Sequence, residues 1–90
     1  MLRHQLTSVA RHYDFSSLRQ AVDTAVRSDE RALVVDLDEI GFLDATIIRE
    51  LILGLRRLRD HGGTLRVSAT RASVISSLRD TGLDRVFRPI

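Results

Sequence analysis

The 90-residue sequence contains no cysteine, no tryptophan and no lysine, and it has one proline and one tyrosine. The absence of cysteine excludes a disulfide framework, a thiolate metal site and a cysteine nucleophile. Because aromatic residues make up only 4% of the chain, the core has to be built from Leu, Ile and Val. The length suits one core. We therefore expect a single domain over residues 1–90, with residues 1–5 as candidates for disorder.

All 14 basic residues are arginine, they are interleaved with 12 acidic residues, and the formal net charge is +2. The sequence pI of about 10.4 overstates this basicity, because few groups titrate between neutral pH and the arginine range. Since the arginines form no stripe, we expect no nucleic-acid partner. No apolar run could span a bilayer, and the N-terminus lacks the apolar core of a signal peptide. These features predict a cytoplasmic protein without a membrane partner.

Strand-like and helix-like segments alternate along the chain, which predicts an α/β fold with a mostly parallel or mixed sheet and right-handed crossovers. The pattern predicts strands at 6–12 (weak), 31–37 (buried) and 64–69. It predicts a helix at 17–27 capped by Asp14 or Ser16, a helix at 46–60 stopped by His61-Gly62-Gly63, and a helix at 71–80 capped by Thr70 and ended by Gly82. A short docking segment is predicted at 83–87.

Four carboxylates follow the buried strand: Asp36, Asp38, Glu39 and Asp44. At the carboxyl end of a parallel strand such a cluster could hold magnesium or act in acid/base chemistry. The favoured interpretation is a solvated loop with helix-capping groups, since Asp44 and Thr46 stand where a helix begins. The three histidines have no ligand spacing, and neither a phosphate loop nor a nucleophile elbow is present. We expect no metal, no cofactor and no enzymatic activity.

The helix at 46–60 has two faces with different side chains. Its predicted inner stripe consists of Ile48, Leu51, Ile52, Leu55 and Leu58, and its outer face of Arg49, Leu53, Arg56 and Asp60. Leu53 is therefore expected to point to solvent, with Ile47 on the flank of the first turn. Single exposed apolar residues are normal. The alternative interpretation is a contact surface for another protein.

Several segments in order resemble the core of STAS domains, the bacterial anti-sigma factor antagonists. They are Leu33-Val34-Val35-Asp36-Leu37, Ile40-Gly41-Phe42-Leu43-Asp44-Ala45-Thr46, the helix ending in Gly62-Gly63 with Leu65-Arg66-Val67 after it, and the ending from Leu78 to Phe87. The resemblance covers roughly residues 14–87. It implies a small STAS-like domain with helices packed on one side of the sheet and no catalytic activity.

The resemblance implies a partner of the histidine-kinase-like ATPase type, an anti-sigma factor kinase, or other STAS proteins. It also implies a control point, a phosphorylated Ser or Thr directly after the aspartate that corresponds to Asp44. This sequence has Ala45 at that position, and Ile47 where the family usually has glycine. Thr46 keeps a hydroxyl, so it is either an alternative phosphorylation site or, as we favour, the helix cap. Regulation at the usual site is therefore not expected.

A typical member has about one more strand before the segment that matches residues 6–13. Loss of that strand would expose a sheet edge and favour a homodimer. The leading hypothesis is a regulatory binding module that docks through Glu39, Phe42, Asp44, Ala45, Thr46, Ile47, Arg49 and Leu53. The alternative is a structural or assembly module of a multi-protein stress-signalling complex.

Overall fold

A computed structural model describes residues 2–6, 8–9, 12–13, 15–28, 30–40, 43–87 and 89 of the chain. In chain order the elements are β1 (Leu2–Gln5), β2 (Ser8–Val9), β3 (His12–Tyr13), α1 (Phe15–Arg27), β4 (Ala32–Asp36), α2 (Ala45–Asp60), β5 (Thr64–Ser68), α3 (Ala72–Asp80) and α4 (Asp84–Phe87). None of the helices in this described part combines the length and apolar character that a bilayer crossing requires.

The main sheet has the strand order β1-β4-β5, and both strand pairs are parallel. In its register Leu33 of the central strand lies between Leu2 and Leu65. β4 is buried on both faces, which explains why it reads as a continuous apolar run. β2 and β3 form a separate antiparallel pair. The predicted α/β fold with a mostly parallel sheet is confirmed.

The core lies on one face of the sheet, where side chains from all four helices meet the inward residues of the strands. The sheet contributes Leu33, Val35, Leu65 and Val67, and the helices contribute Leu18, Val22, Ala25, Ile47, Leu51, Leu55, Leu58, Val74, Leu78 and Phe87. Burial of one such aliphatic side chain stabilises the fold by about 1.5–3 kcal/mol. The expected packing of helices on one side of the sheet is therefore present.

The N-terminal segment differs from the prediction. β1 lies before Leu6, where we expected disorder or a missing strand. Among the described residues of the predicted strand at 6–12, Leu6 lies in no strand, Ser8–Val9 form β2, and His12 belongs to β3. Leu6 itself is fully buried and its backbone N–H donates to the Asp36 carbonyl oxygen at 3.0 Å. The weak alternation at 6–12 predicted the strand at the wrong position. β1 is a strand because it pairs with β4, which is distant in sequence. Of the two predicted helix caps, Ser16 lies inside α1 and Asp14 lies outside the described residues.

The stop of α2 agrees with the prediction. The helix ends at Asp60, and the backbone N–H of His61 donates to the carbonyl oxygen of Leu58 at 3.0 Å. Gly62 then adopts a φ of +79°, which glycine tolerates without strain.

Two details after β5 were wrong. The N-cap of α3 is Arg71, not Thr70, because the Thr70 hydroxyl is used elsewhere. Ile75, predicted inward, is 36% exposed, while the neighbouring positions Val74 and Leu78 fill the core. The docking segment at 83–87 forms α4, in which Phe87 is buried and Val86 is exposed.

Candidate functional site

The turn after β4, around Asp38, is held by hydrogen bonds to Thr70, just after the end of β5, and we call it the fastened turn. The Asp38 carboxylate oxygen Oδ1 accepts hydrogen bonds from the Thr70 backbone N–H at 2.6 Å and from its hydroxyl at 3.0 Å. Asp36, the last residue of β4, accepts a hydrogen bond at its Oδ1 from the backbone N–H of Asp38 at 2.9 Å. These groups meet because β4 and β5 are parallel, so that their carboxyl ends lie at the same edge of the sheet.

Arg3 joins all three strands at that edge. Its Nη2 donates to the Ser68 hydroxyl at 2.9 Å and to Asp36 Oδ2 at 3.4 Å. The Arg3 side chain is 56% exposed, so the ion pair with Asp36 contributes at most about 1 kcal/mol. Its main effect is positional, since it fixes the strand end from which the turn departs.

The acidic cluster is thus divided among structural contacts. Asp36 and Asp38 hold the turn, Asp44 caps α2, and Glu39 is exposed. Among the described residues no three His, Asp or Glu side chains converge as metal ligands would. The magnesium alternative therefore finds no support in the geometry of these carboxylates.

The hydrogen bonds from Thr70, first that of the backbone N–H and then that of the hydroxyl, lower the pKa of the Asp38 carboxyl. Because the pKa in the folded state lies below that in the unfolded state, the carboxylate contributes stability above the ordinary Asp pKa of about 3.9. That contribution is lost as the pH falls through the lowered folded value.

Asp38→Asn is therefore expected to lower the urea midpoint of unfolding at pH 7, and the difference from the wild type should narrow on acidification to pH 3. Glu39→Gln is the matched control, since it removes the same charge one residue away from an exposed side chain. A difference between Asp38→Asn and the wild type that stays constant with pH would contradict the assigned role of Asp38.

α2 begins with a side-chain cap from Asp44. Its Oδ1 accepts from the backbone N–H of Ile47 at 2.8 Å, and its backbone is extended, as an N-cap residue requires. Thr46, which we favoured as the cap, lies in the first turn and is exposed. The predicted cap lies two positions after the observed one. The helix starts at Ala45, so its N-cap residue is Asp44, whose side chain accepts from the amide three residues ahead.

Asp44→Ala is expected to lower the free energy of unfolding by about 1 kcal/mol, because the Ile47 amide loses its acceptor. Asp44→Asn, which keeps a capping oxygen, should cost clearly less. Chemical denaturation of both variants measures the difference. Equal losses would show that the cap contributes nothing specific.

Ile47 is not part of a contact surface. Its side chain is fully buried and packs in the core, together with Leu51, Leu55 and Leu58 of the same helix. The inner stripe of α2 is rotated relative to the predicted one, so that Ile48 and Ile52 are only partly buried. The sequence pattern could not place this rotation because five of the first eight residues of the helix are apolar or small on neighbouring faces.

The exposed side of α2 carries a stripe that we call the outer stripe, formed by Ala45, Arg49, Leu53, Arg56 and Asp60. These positions fall within about 80° of the helix circumference at about 100° per residue. Leu53 is 47% exposed, as predicted. Thr46, next to Ala45 in the chain, is exposed, and so is Glu39 in the turn after β4, whereas Phe42 lies outside the described residues.

A groove of about 190 Å³ runs beside the outer stripe between α1 and α2. Leu18, Val22, Leu53 and Gly54 supply its apolar lining. Ion pairs cross from α1 to α2 at this groove: Arg19 binds Glu50 with two hydrogen bonds of 2.5 and 3.3 Å, and Asp23 pairs with Arg57. The hydrogen bond to Glu50 and the charge of its carboxylate raise the pKa of Arg19.

This groove was not predicted from the sequence, although Gly54 indicates it. A glycine in the middle of a strongly apolar helix indicates close packing of another backbone or side chain. A Cβ at position 54 would lie 3.1 Å from Leu65 Cδ1 and 3.2 Å from Val22 Cγ2. The partners of the ion pairs are more than 30 positions apart, and no local pattern predicts such pairs.

The described residues thus form a parallel three-stranded sheet with helices on one face and a fastened turn that leads into an exposed helix stripe. This arrangement is that of a small α/β domain. The chain belongs to the STAS family described as "Mlab, STAS domain", which it matches over residues 3–89. A search of curated proteins found no match. Domains of the STAS family are in general regulatory and non-enzymatic.

Proposed function

We propose that the protein is a non-enzymatic binding module, an anti-sigma factor antagonist-like regulator in the bacterial cytoplasm that binds an ATPase of the histidine-kinase-like type. The observation that carries the proposal is the exposed Leu53 on the outer stripe, one turn from Arg49 and beside the groove between α1 and α2. An apolar anchor bordered by charged side chains is typical of the centre of a protein interface.

The charges of the outer stripe define the chemistry of the partner. Arg49 and Arg56 are exposed and form no ion pair with another described residue, whereas the arginines of the neighbouring groove are paired with Glu50 and Asp23. A complementary surface has an apolar pocket for Leu53 with carboxylates on both sides.

The proposed regulator is not controlled by phosphorylation at the usual position, because Ala45, exposed at the start of α2, has no hydroxyl. Thr46 has an exposed side chain in the same turn, and a phosphate there would lie at the N-terminal end of the helix. Incubation with candidate kinases from the same genome, followed by intact-mass measurement, tests this point. No added mass together with a stable complex supports a constitutive binder.

Ala45 also favours a second candidate function, a structural or assembly module of a multi-protein stress-signalling complex, in which no switch is needed. Such a module would bind related STAS proteins. An assembly module of this kind could also form a homodimer through β1. Within the described sheet β1 pairs with β4 alone, so its other edge is open to a second chain. Light scattering that gives a monomeric mass at high concentration would count against that homodimer.

Co-elution with purified candidate partners separates the two functions. The regulator predicts a stable complex with a histidine-kinase-like ATPase, and the assembly module predicts one with other STAS proteins. Complex formation with STAS proteins but with none of the candidate ATPases would replace the first proposal by the second.

A further inference from the structure

The groove between α1 and α2 is bordered at each end by an ion pair. Arg19 binds Glu50 across one end, and Asp23 pairs with Arg57 across the other. At a rise of about 1.5 Å per residue, the two ion pairs lie about 6 Å apart along α1 and about 10 Å apart along α2. The opening between them therefore admits one side chain, not a row of side chains from a second helix.

The interior of the groove is apolar and small. Leu18 and Val22 line it from below, where they are almost fully buried, and the exposed Leu53 lines one side. Its volume of about 190 Å³ is smaller than the roughly 300–1,000 Å³ that is typical of sites for cofactors and other small-molecule ligands. The size of the groove therefore favours a single side chain of another protein over a small molecule.

The charges around the groove are neutralised within the domain. The side chain of Glu50 is only 11% exposed and is held by Arg19, and the Asp23 carboxylate is held by Arg57. A charged side chain that entered the groove would have to displace one of these ion pairs or lose its hydration without a partner, and both are costly. The occupant is therefore an uncharged apolar side chain.

We propose that the groove binds one leucine or phenylalanine side chain of the partner protein, on a segment that also presents carboxylates to Arg49 and Arg56. This inference rests on the proposed function and adds a second apolar contact to it, on the other side of Leu53. The charge of the outer stripe favours this partner over a second copy of the chain. The stripe has two arginines without an ion pair to another described residue and one carboxylate, Asp60, so a second copy would present the same excess of arginine.

A purely structural origin of the groove predicts a different behaviour. Gly54 lets α2 pack closely on Val22 and Leu65, and the groove would then be only the gap that two helices leave between them. In that case an apolar probe would contact Leu53 no better than Ile75, which is also an exposed aliphatic side chain. The proposed site predicts saturable binding at the groove alone.

The first test is a methyl NMR titration of the full chain with N-acetyl-phenylalanine amide, and with N-acetyl-glutamine amide as the polar control. Saturable shifts are expected for the methyl groups of Leu18, Val22 and Leu53 with the phenylalanine amide, and none with the glutamine amide. The methyl groups of Ile75 and Val86 should keep their positions with both probes. Unchanged signals in the groove, or equal shifts at Ile75, would overturn the assignment.

Leu53→Ala is expected to weaken binding of the phenylalanine amide by at least about threefold, because it removes apolar contact area on one side of the probe. Ile75→Ala is the matched control, since it truncates another exposed aliphatic side chain outside the groove, and it should leave the affinity unchanged. Equal affinities of the wild type and Leu53→Ala would contradict binding in the groove.

The same methyl signals, recorded in a complex with a histidine-kinase-like ATPase, separate this inference from the proposed function. We expect Leu18 and Val22 to shift together with Ala45 and Leu53. Shifts of Ala45 and Leu53 without those of Leu18 and Val22 would overturn the inference and leave the proposed function intact. If no candidate ATPase binds, the proposed function fails, and the probe titration still decides whether the groove takes an apolar side chain.

A second copy of the chain is the remaining occupant to be tested. Light scattering over a range of protein concentrations should give a monomeric mass, with the methyl signals of Leu18 and Val22 independent of concentration. A dimeric mass that appears together with shifts of these two signals would assign the groove to a second copy and overturn the proposed partner.

Discussion

Ile47→Ala is expected to lower the free energy of unfolding by about 2–5 kcal/mol, because it leaves a cavity among fully buried core side chains. The expected loss is large for a domain of 90 residues, whose total stability is on the order of 5–15 kcal/mol. Urea denaturation followed by circular dichroism measures the change.

Leu53→Ala is the matched control for Ile47→Ala. It truncates an apolar side chain on the same helix, but the side chain is 47% exposed, so the expected change is within about 0.5 kcal/mol. Similar losses for the two variants would contradict the rotation of α2 that buries Ile47.

Leu53→Glu is expected to weaken binding of the proposed partner by at least about thirtyfold, which corresponds to about 2 kcal/mol for a central interface residue. The introduced carboxylate cannot enter an apolar pocket without a large desolvation cost, and it would face the carboxylates proposed for the partner. Isothermal titration calorimetry with the ATPase partner measures the effect. Ala45→Glu, at the start of the outer stripe, should act in the same direction without loss of stability, since a carboxylate is favourable in the first turn of a helix.

Ile75→Glu is the control for this second prediction. It places the same charge on an exposed apolar position of α3, away from the outer stripe, and should leave the affinity unchanged. Retained binding by both Leu53→Glu and Ala45→Glu, or a loss with Ile75→Glu alone, would exclude α2 as the docking element.

Much of the fold was predictable because the signals are local. The continuous apolar run of β4 indicates a central strand, and the glycine after His61 indicates a helix end. The ordered motifs around them also predicted the family, which the match over residues 3–89 confirms. The beginning of the chain was not predictable in this way, because β1 is a strand only through its pairing with β4, about 30 positions away.

The candidate site was predictable in part. Exposure of Leu53 follows from helical spacing and is confirmed. The same reasoning failed for Ile47, because apolar residues on neighbouring faces of α2 left the centre of the buried stripe undetermined. The bonds from Thr70 to Asp38 were beyond prediction, since they join two loops that meet only because their strands are parallel. The groove between α1 and α2 depends on contacts of the same long-range kind.

Methyl NMR of the domain, free and bound to its partner, tests the docking surface most directly. We predict that the methyl signals of Ala45 and Leu53 shift or broaden on binding, while those of the buried Ile47 and the distant Ile75 keep their positions. Unchanged signals of Ala45 and Leu53, with shifts confined to Ile75 or to Val86, would contradict docking through the outer stripe of α2.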